Sequence, residues 1–314
     1  MQELLRNTTA YKLLASEAKE GRLANTYLLI FNDEDNLRLA LTEFARLFFD
    51  GREETYRRIA NGNHPDCLFY PEAGKILDKD GAKAVIEESC LSPVESKRKL
   101  FVLDNFHRAN ATVQNKLLKS LEEPFDGVHF LLGATSEFPL LSTVKSRAKK
   151  LEIPPFSTKE VGACLKRIYP ERDDIALYAQ AAEGSVGRAQ RLMEGGKFAV
   201  IQEKSYLCVS ANNAIIPAAA RALNNISEKN EVISQIRRMY RDMLFYLTKQ
   251  PYAIQDGISE KLKTLAKEFT PAVLVFALDT FAEAEKQLNF NANLSQCVEV
   301  ALWKIDKEKR KCKK

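Results

Sequence analysis

The sequence predicts an α/β domain built on a mostly parallel sheet and followed by a long helical region. Short apolar runs of bulky residues recur through the first half of the 314-residue chain, and segments with helical spacing separate them. After Thr158 no convincing strand pattern remains, and helical periodicity continues to the end. Strands that are apolar on both faces and alternate with helices are typical of a parallel sheet covered on two sides.

Apolar runs bounded by polar residues predict the strands, and apolar residues repeating every three or four positions predict the helices between them. The predicted strands are 26–31, 67–70, 99–104, 129–133 and 151–153. The predicted helices of this half are 36–49, 83–90 and 112–121. This alternation is the element order of a parallel sheet with helical crossovers.

A change of character after Pro154-Pro155 divides the chain. We predict three domains: an α/β domain, a small helical lid and a helical C-terminal domain, at residues 1–155, 156–205 and 206–314. The last of these shows five or so helical segments, of which the clearest are 233–247 and 271–288.

The composition is that of a soluble globular protein, with 45% apolar and 28% charged residues. Six cysteines are scattered without a C-x-x-C pair, which favours reduced thiols and a cytoplasmic protein. The longest apolar run, 271–278, is far shorter than the roughly 18 residues that a membrane span needs. We therefore expect no membrane association.

The formal net charge is +5, and much of the surplus lies at the end of the chain. Residues 304–314 contain seven basic and two acidic side chains. We interpret this run as a solvated, frayed terminus. Contact with nucleic acid is the alternative, since a mild positive charge is compatible with it.

The loop that cradles nucleotide phosphates is missing. It requires G-x-x-x-x-G-K-[S/T], because glycine backbone must approach the phosphates and the lysine must pair with them. Directly after the first strand, the chain instead reads Asn-Asp-Glu-Asp-Asn over residues 32–36. Asp33, Glu34 and Asp35 place three negative charges at a helix N-terminus, where they satisfy the helix dipole and would repel a triphosphate.

Asp104 ends the apolar run 99–104, and in many ATPases the metal-binding aspartate likewise follows an apolar strand. The next residue is Asn105, whereas an ATPase of this class has an acidic residue there to orient the attacking water. Since the phosphate loop is also missing, we favour a structural Asp104 that caps the strand and bonds nearby backbone.

Several segments carry a resemblance to a known family. They are Asn63-His64-Pro65-Asp66, residues 91–95, the run Asn-Lys-Leu-Leu-Lys-Ser-Leu-Glu-Glu-Pro at 115–124, and the run Leu-Leu-Ser-Thr-Val-Lys-Ser-Arg at 140–147. Over about residues 1–200 the chain resembles the AAA+ clamp-loader subunits of bacterial DNA polymerase III. The resemblance implies an AAA+ α/β domain, a small helical lid and an all-α C-terminal collar domain.

Within that family, the absence of the phosphate loop makes the chain similar to the stator, a subunit that does not itself bind ATP productively. Ser146-Arg147 resembles the family's arginine-finger turn, although Ala148 replaces the usual cysteine. The resemblance implies that Arg147 enters the ATP site of an adjacent subunit, with Ser146 supporting the turn. The alternative is an ordinary surface or interdomain salt bridge.

Three further residue types have a functional and a structural interpretation. Arg188 resembles the lid arginine that senses the γ-phosphate, but without a phosphate loop we expect a structural role at a helix start. Glu122 and Glu123 point about 100° apart on a helix, so we expect hydrogen bonds at the helix end and not an acid/base pair. We expect His64 to be a hydrogen-bonded structural histidine.

The resemblance also implies the cofactors and partners. Many relatives carry a four-cysteine zinc module, but only Cys67 lies in the corresponding region, and four ligands are needed for a closed site. We therefore expect no zinc, and no ATP held by the chain's own degenerate site. The implied partners are ATP-hydrolysing clamp-loader subunits, the clamp-opening subunit, the sliding clamp and primer-template DNA. Two alternatives stay open: an independent AAA+ ATPase with an atypical nucleotide loop, and a repair or recombination scaffold.

Overall fold

A computed structural model describes residues 1–195, 198–249, 260–288 and 292–312. The chain forms two compact units, Met1–Leu192 and Met193–Lys314. The three-domain division at residues 155 and 205 stays a prediction. Within the described ranges, every helix is too short or too polar to span a lipid bilayer.

The first unit contains a five-stranded parallel sheet with the strand order β2-β3-β4-β1-β5. Its strands are β1 Thr26–Phe31, β2 Cys67–Tyr70, β3 Lys99–Leu103, β4 Val128–Ala134 and β5 Lys149–Ile153. The predicted parallel sheet is confirmed, and all five predicted strands are present. β4 and β5 each begin before their predicted limits because Val128 and Lys149 also pair with neighbouring strands.

Helices cover both faces of this sheet, as expected for a parallel α/β fold. The helices that begin in the first unit are α1 Gln2–Asn7, α2 Thr9–Lys19, α3 Glu34–Ala45, α4 Glu53–Ala60, α5 Lys79–Ser89, α6 Ala111–Glu122, α7 Ser142–Lys145, α8 Thr158–Ile168, α9 Ile175–Ala181 and α10 Val186–Glu194. The three predicted helices correspond to α3, α5 and α6. The predicted 36–49 helix is wrong at its end, since α3 stops at Ala45 and a 3-10 turn follows over Arg46–Phe48.

Alternation along the buried strands places one set of side chains on each face of the sheet. Leu28, Phe101 and Phe130 belong to a core that also includes apolar residues of α5 and α6. On the opposite face, α3 lies close to β4 at Gly133. A Cβ atom there would lie 2.6 Å from the Leu41 side chain, so a larger residue would force Leu41 to move.

In its described residues the second unit contains helices and no strand, so its predicted helical character is confirmed. The helices that begin there are α11 Phe198–Val209, α12 Ile216–Arg221, α13 Lys229–Thr248, α14 Glu260–Ala266, α15 Pro271–Leu288 and α16 Leu294–Lys311. One core joins them, with Tyr240 and Phe281 among its largest buried side chains. The predicted 271–288 helix has the observed bounds, and 233–247 lies inside the longer α13.

The basic run at the end of the chain is helical through Lys311, so its interpretation as a frayed terminus is wrong for the described residues. Lys309 binds Glu268 at 2.9 Å, and its ammonium lies 4.1 Å from the centre of the Phe269 ring. Arg310 pairs with Asp306 one helical turn earlier. Lys313 and Lys314 lie outside the described residues. Intrahelical and tertiary ion pairs thus extend the last helix through the charged run.

The first two segments that carry the family resemblance are in contact through Asp66. Its buried carboxylate accepts hydrogen bonds from the backbone N–H groups of Val94 at 2.5 Å, Glu95 at 2.9 Å and Ser96 at 2.7 Å. Burial alone would raise the pKa of Asp66, but these donors outweigh it and hold the pKa below its usual value. These hydrogen bonds to Asp66 therefore fix the conformation of the loop that leads into β3.

His64 is a hydrogen-bonded structural residue, as predicted. Its ring is buried, and Nδ1 accepts the backbone N–H of Asp66 at 3.3 Å. The ring lies against Phe49, with 4.2 Å between ring centres. Burial lowers the pKa of His64, so the imidazole is neutral near pH 7.

Candidate functional site

The acidic segment after β1 lies at the carboxyl edge of the sheet, where open parallel sheets bind their ligands. Asp33 precedes α3, and Glu34 and Asp35 form its first turn. Each of these three carboxylates has a partner from the chain itself. Asp33 and Asp35 each contact a residue on α10.

Asp33 is fully buried and attaches the acidic segment to α10. Its Oδ2 accepts a hydrogen bond from the backbone N–H of Gly187 at 2.9 Å and another from Asn36 Nδ2 at 3.0 Å. Gly187 is the second residue of α10, so the carboxylate satisfies a backbone N–H that has no partner within the helix. A Cβ atom at Gly187 would lie 2.5 Å from Asp33 Oδ1, so only glycine permits this contact.

Glu34 and Asp35 form ion pairs with arginines from distant segments. Glu34 pairs with Arg108 in the turn after β3, and Asp35 pairs with Arg191 on α10. The negative charges that would oppose phosphate are therefore neutralised within the protein. Both arginines are therefore already engaged by carboxylates of the chain itself.

Asp104 follows β3 and is held by side chains. Arg38 on α3 donates from Nη1 to Asp104 Oδ2 at 3.1 Å, and the Arg38 guanidinium lies 4.7 Å from the centre of the Phe69 ring. Asn105 Nδ2 donates to the other carboxylate oxygen at 3.1 Å. The sequence favoured bonds to nearby backbone, whereas these partners are a guanidinium and an amide. Asn105 itself has a φ of 49°, in the left-handed region that asparagine tolerates.

Arg188 lies in the first turn of α10, where the sequence predicted a structural residue. Its side chain is mostly buried, and Nη1 donates to Glu183 Oε2 at 2.7 Å. Its backbone N–H donates to Ser185 Oγ at 3.0 Å. Both partners belong to the turn that precedes α10, so these bonds hold the start of that helix. The structural role of Arg188 stays a prediction.

Ser146 and Arg147 follow α7, and both side chains bond to the carbonyl oxygen of Thr143. Ser146 Oγ donates to that oxygen at 3.1 Å, and Arg147 Nη1 donates to it at 3.0 Å. Arg147 Nε donates to Glu122 Oε2 at 2.7 Å. The Arg147 side chain is 29% exposed, and its Nη2 has no partner among the described residues. The Arg147 guanidinium is thus held through Nε and Nη1, whereas Nη2 is available to a further acceptor.

A protein-family comparison finds a similarity in the part of the chain that carries the sheet. Residues 6–157 match the family described as DNA polymerase III, delta subunit. The match includes all five strands, the acidic segment and the Arg147 turn. Over these residues the chain is similar to this family.

Three curated relatives are DNA polymerase III subunits. The chain is 26% identical over 312 residues to subunit delta' of Bacillus subtilis (strain 168), with 92% of each chain covered. It is 20% identical over 280 residues to subunit tau of the same organism, covering 79% of this chain and 49% of that relative. It is 27% identical over 200 residues to subunit tau of Escherichia coli (strain K12), covering 58% and 30%. The family resemblance found in the sequence is confirmed.

Two solved structures show a weaker likeness. A gamma subunit-related protein of DNA polymerase III from Thermotoga maritima is 17% identical, with a TM-score of 0.46, and 94% of this chain and 99% of that chain are covered. The Bacillus subtilis DNA clamp loader delta protein is 13% identical, with a TM-score of 0.37, and the coverage is 95% and 100%.

Sequence reasoning missed the arginines that hold the acidic segment. Asp35 and Arg191 are 156 residues apart, and Glu34 and Arg108 are 74 apart, so no local pattern links them. In the part of the chain that the structure describes, no group of three or more His, Cys, Asp and Glu side chains is arranged to hold a metal ion. The expected absence of zinc stays a prediction.

Proposed function

We propose that the chain is a delta-prime-like stator of the DNA polymerase III clamp loader, a non-catalytic subunit that helps to load the sliding clamp on primed DNA. Its closest functional neighbours in this proposal are the ATP-hydrolysing subunits and the clamp-opening subunit. The C-terminal helical unit would contribute to the collar of the ring. The curated relatives support this proposal because all three are subunits of DNA polymerase III.

The observation that carries the non-catalytic role is the acidic segment over residues 33–35. A nucleotide triphosphate needs unpaired backbone N–H groups and available cations at the helix that follows the first strand. Here carboxylates occupy the first turn of α3, and Arg108 and Arg191 already bind them. Binding a triphosphate would require breaking these ion pairs and bringing phosphate beside like charges. We therefore expect neither ATP binding nor ATP hydrolysis by the chain's own site.

The second part of the proposal is that Arg147 acts in the ATP site of an adjacent subunit. An arginine suits this role because its planar guanidinium is permanently charged and can bind phosphate oxygens through two N–H groups. The exposure of Arg147 and its open Nη2 support the proposal. Contact with primer-template DNA would then arise through the assembled complex and would depend on salt.

Omitting the chain from a reconstituted clamp loader tests the proposed function. The assay contains the ATPase subunits and clamp-opening subunit of the same organism, its sliding clamp and primed DNA, and it measures clamp retained on the DNA. We expect loading to be lost without this chain and restored when it is added. A control with unprimed duplex separates loading from nonspecific association. Equal loading with and without the chain would refute the proposal.

A further inference from the structure

One ion pair connects the arginine-finger turn to the helix that precedes β4. Arg147 Nε and Glu122 Oε2 lie 2.7 Å apart, although the two residues are separated by 25 positions. Glu122 is the last residue of α6, and Arg147 follows α7. The carboxylate therefore ties the turn to an element that packs on the sheet.

The location of Glu122 is unfavourable for its own helix. A negative charge in the last turn opposes the helix dipole, so helix stability does not account for a glutamate at this place. The neighbouring carboxylate, Glu123, is exposed and forms no ion pair within the described ranges. Of the two glutamates that end α6, only Glu122 contacts the finger turn.

The contacts of Arg147 leave one end of its guanidinium available. Glu122 engages Nε, and the carbonyl oxygen of Thr143 accepts from Nη1. Two fixed points restrict the long side chain to one orientation while Nη2 remains open. We propose that Glu122 is a positioning residue that holds the Arg147 finger in the orientation used by a neighbouring ATP site. This inference rests on the proposed function of Arg147.

The pair lies at the surface, since the Glu122 side chain is 52% exposed. Exposed ion pairs contribute little to stability, so replacing Glu122 leaves the fold intact. Its removal frees the Arg147 side chain, and a catalytic group that must be ordered at each turnover works more slowly. We expect a loss of roughly 10-fold in the step that Arg147 serves.

The experiment measures rapid phosphate release by the reconstituted complex with ATP, sliding clamp and primed DNA. The phase that disappears in the Arg147→Ala complex reports the site next to this chain. We expect Glu122→Ala to slow that phase about 10-fold at saturating ATP, without changing the ATP concentration for half-maximal rate. Glu123→Ala is the matched control and should behave as wild type. Glu122→Gln, which keeps a hydrogen-bond acceptor, should recover part of the rate.

A double variant distinguishes positioning of Arg147 from any other role of Glu122. If Glu122 acts through Arg147, adding Glu122→Ala to Arg147→Ala produces no further loss. A wild-type rate for Glu122→Ala, or an additive loss in the double variant, overturns the positioning role while leaving the finger intact. If Arg147→Ala itself leaves phosphate release unchanged, both the finger and its positioning residue are refuted.

Discussion

Replacing Arg147 with alanine is expected to abolish most ATP hydrolysis at the neighbouring site of the assembled clamp loader. An arginine finger supplied in trans is worth about 10³- to 10⁵-fold in turnover, because it stabilises charge that develops on the transferred phosphoryl group. We expect a loss of at least about 10³-fold at the site that receives Arg147. In the steady state, total hydrolysis falls only by the fraction that this one site contributes. Phosphate release is therefore best measured before the steady state.

Lysine at position 147 provides the control for charge. Arg147→Lys keeps a positive charge but loses the planar fork, so it should recover only a minor part of the rate. Neither substitution should prevent assembly, because the Arg147 side chain is partly exposed and its ion pair with Glu122 lies at the surface. Size-exclusion chromatography can check this. An Arg147→Ala complex with wild-type phosphate release would show that the turn is an ordinary surface feature.

Replacing Asp66 with alanine is expected to destabilise the first unit by about 3 kcal/mol, because three backbone N–H groups lose a charged acceptor. These donors come from Val94, Glu95 and Ser96 in the loop before β3. Urea unfolding followed by far-UV circular dichroism measures the change. The fluorescence of Trp303, the only tryptophan, is unsuitable because this residue lies in the second unit. Asp126→Ala replaces an exposed aspartate without an ion pair among the described residues, and it should leave the unfolding free energy unchanged.

The stabilisation by Asp66 should also disappear in acid. The folded state holds the pKa of Asp66 below the unfolded value of about 3.9, so its contribution is complete above that pH. As the pH falls through the lowered folded pKa, the carboxyl group binds a proton and the contribution is lost. The difference in unfolding free energy between wild type and Asp66→Ala should therefore shrink below about pH 4. A difference that stays constant to pH 2 would contradict the assigned hydrogen bonds.

The strands were predictable because a buried strand shows in the sequence as a run of consecutive apolar residues. β1 is buried at every position, and its observed bounds equal the predicted ones. α1 and α4 were missed because they bury only one and two residues, and short helices of this kind owe their stability to packing. α2, which buries three residues as α5 does, was also missed. Tertiary contacts that lie far apart in the sequence determine these helices.

The candidate site was predictable in its charges but not in its connections. The sequence showed that Asp33, Glu34 and Asp35 oppose phosphate, whereas the attachment of Asp33 to Gly187 depends on a contact across 154 residues. The same limit applies to Glu122, whose expected hydrogen bond at the helix end is present, but with Arg147, a partner 25 residues away. Spacing within one helix reveals neighbours three or four residues apart, but partners from different elements are brought together only by the fold.

We propose that the chain completes the ATP site of a neighbour and that its own site does not hold nucleotide. Titrating the isolated chain with a fluorescent ATP analogue in the presence of magnesium tests the second half of this claim directly. The ion-paired acidic segment predicts no saturable binding up to millimolar analogue. Saturable binding at micromolar concentration, displaced by unlabelled ATP, would contradict the account and favour an independent ATPase.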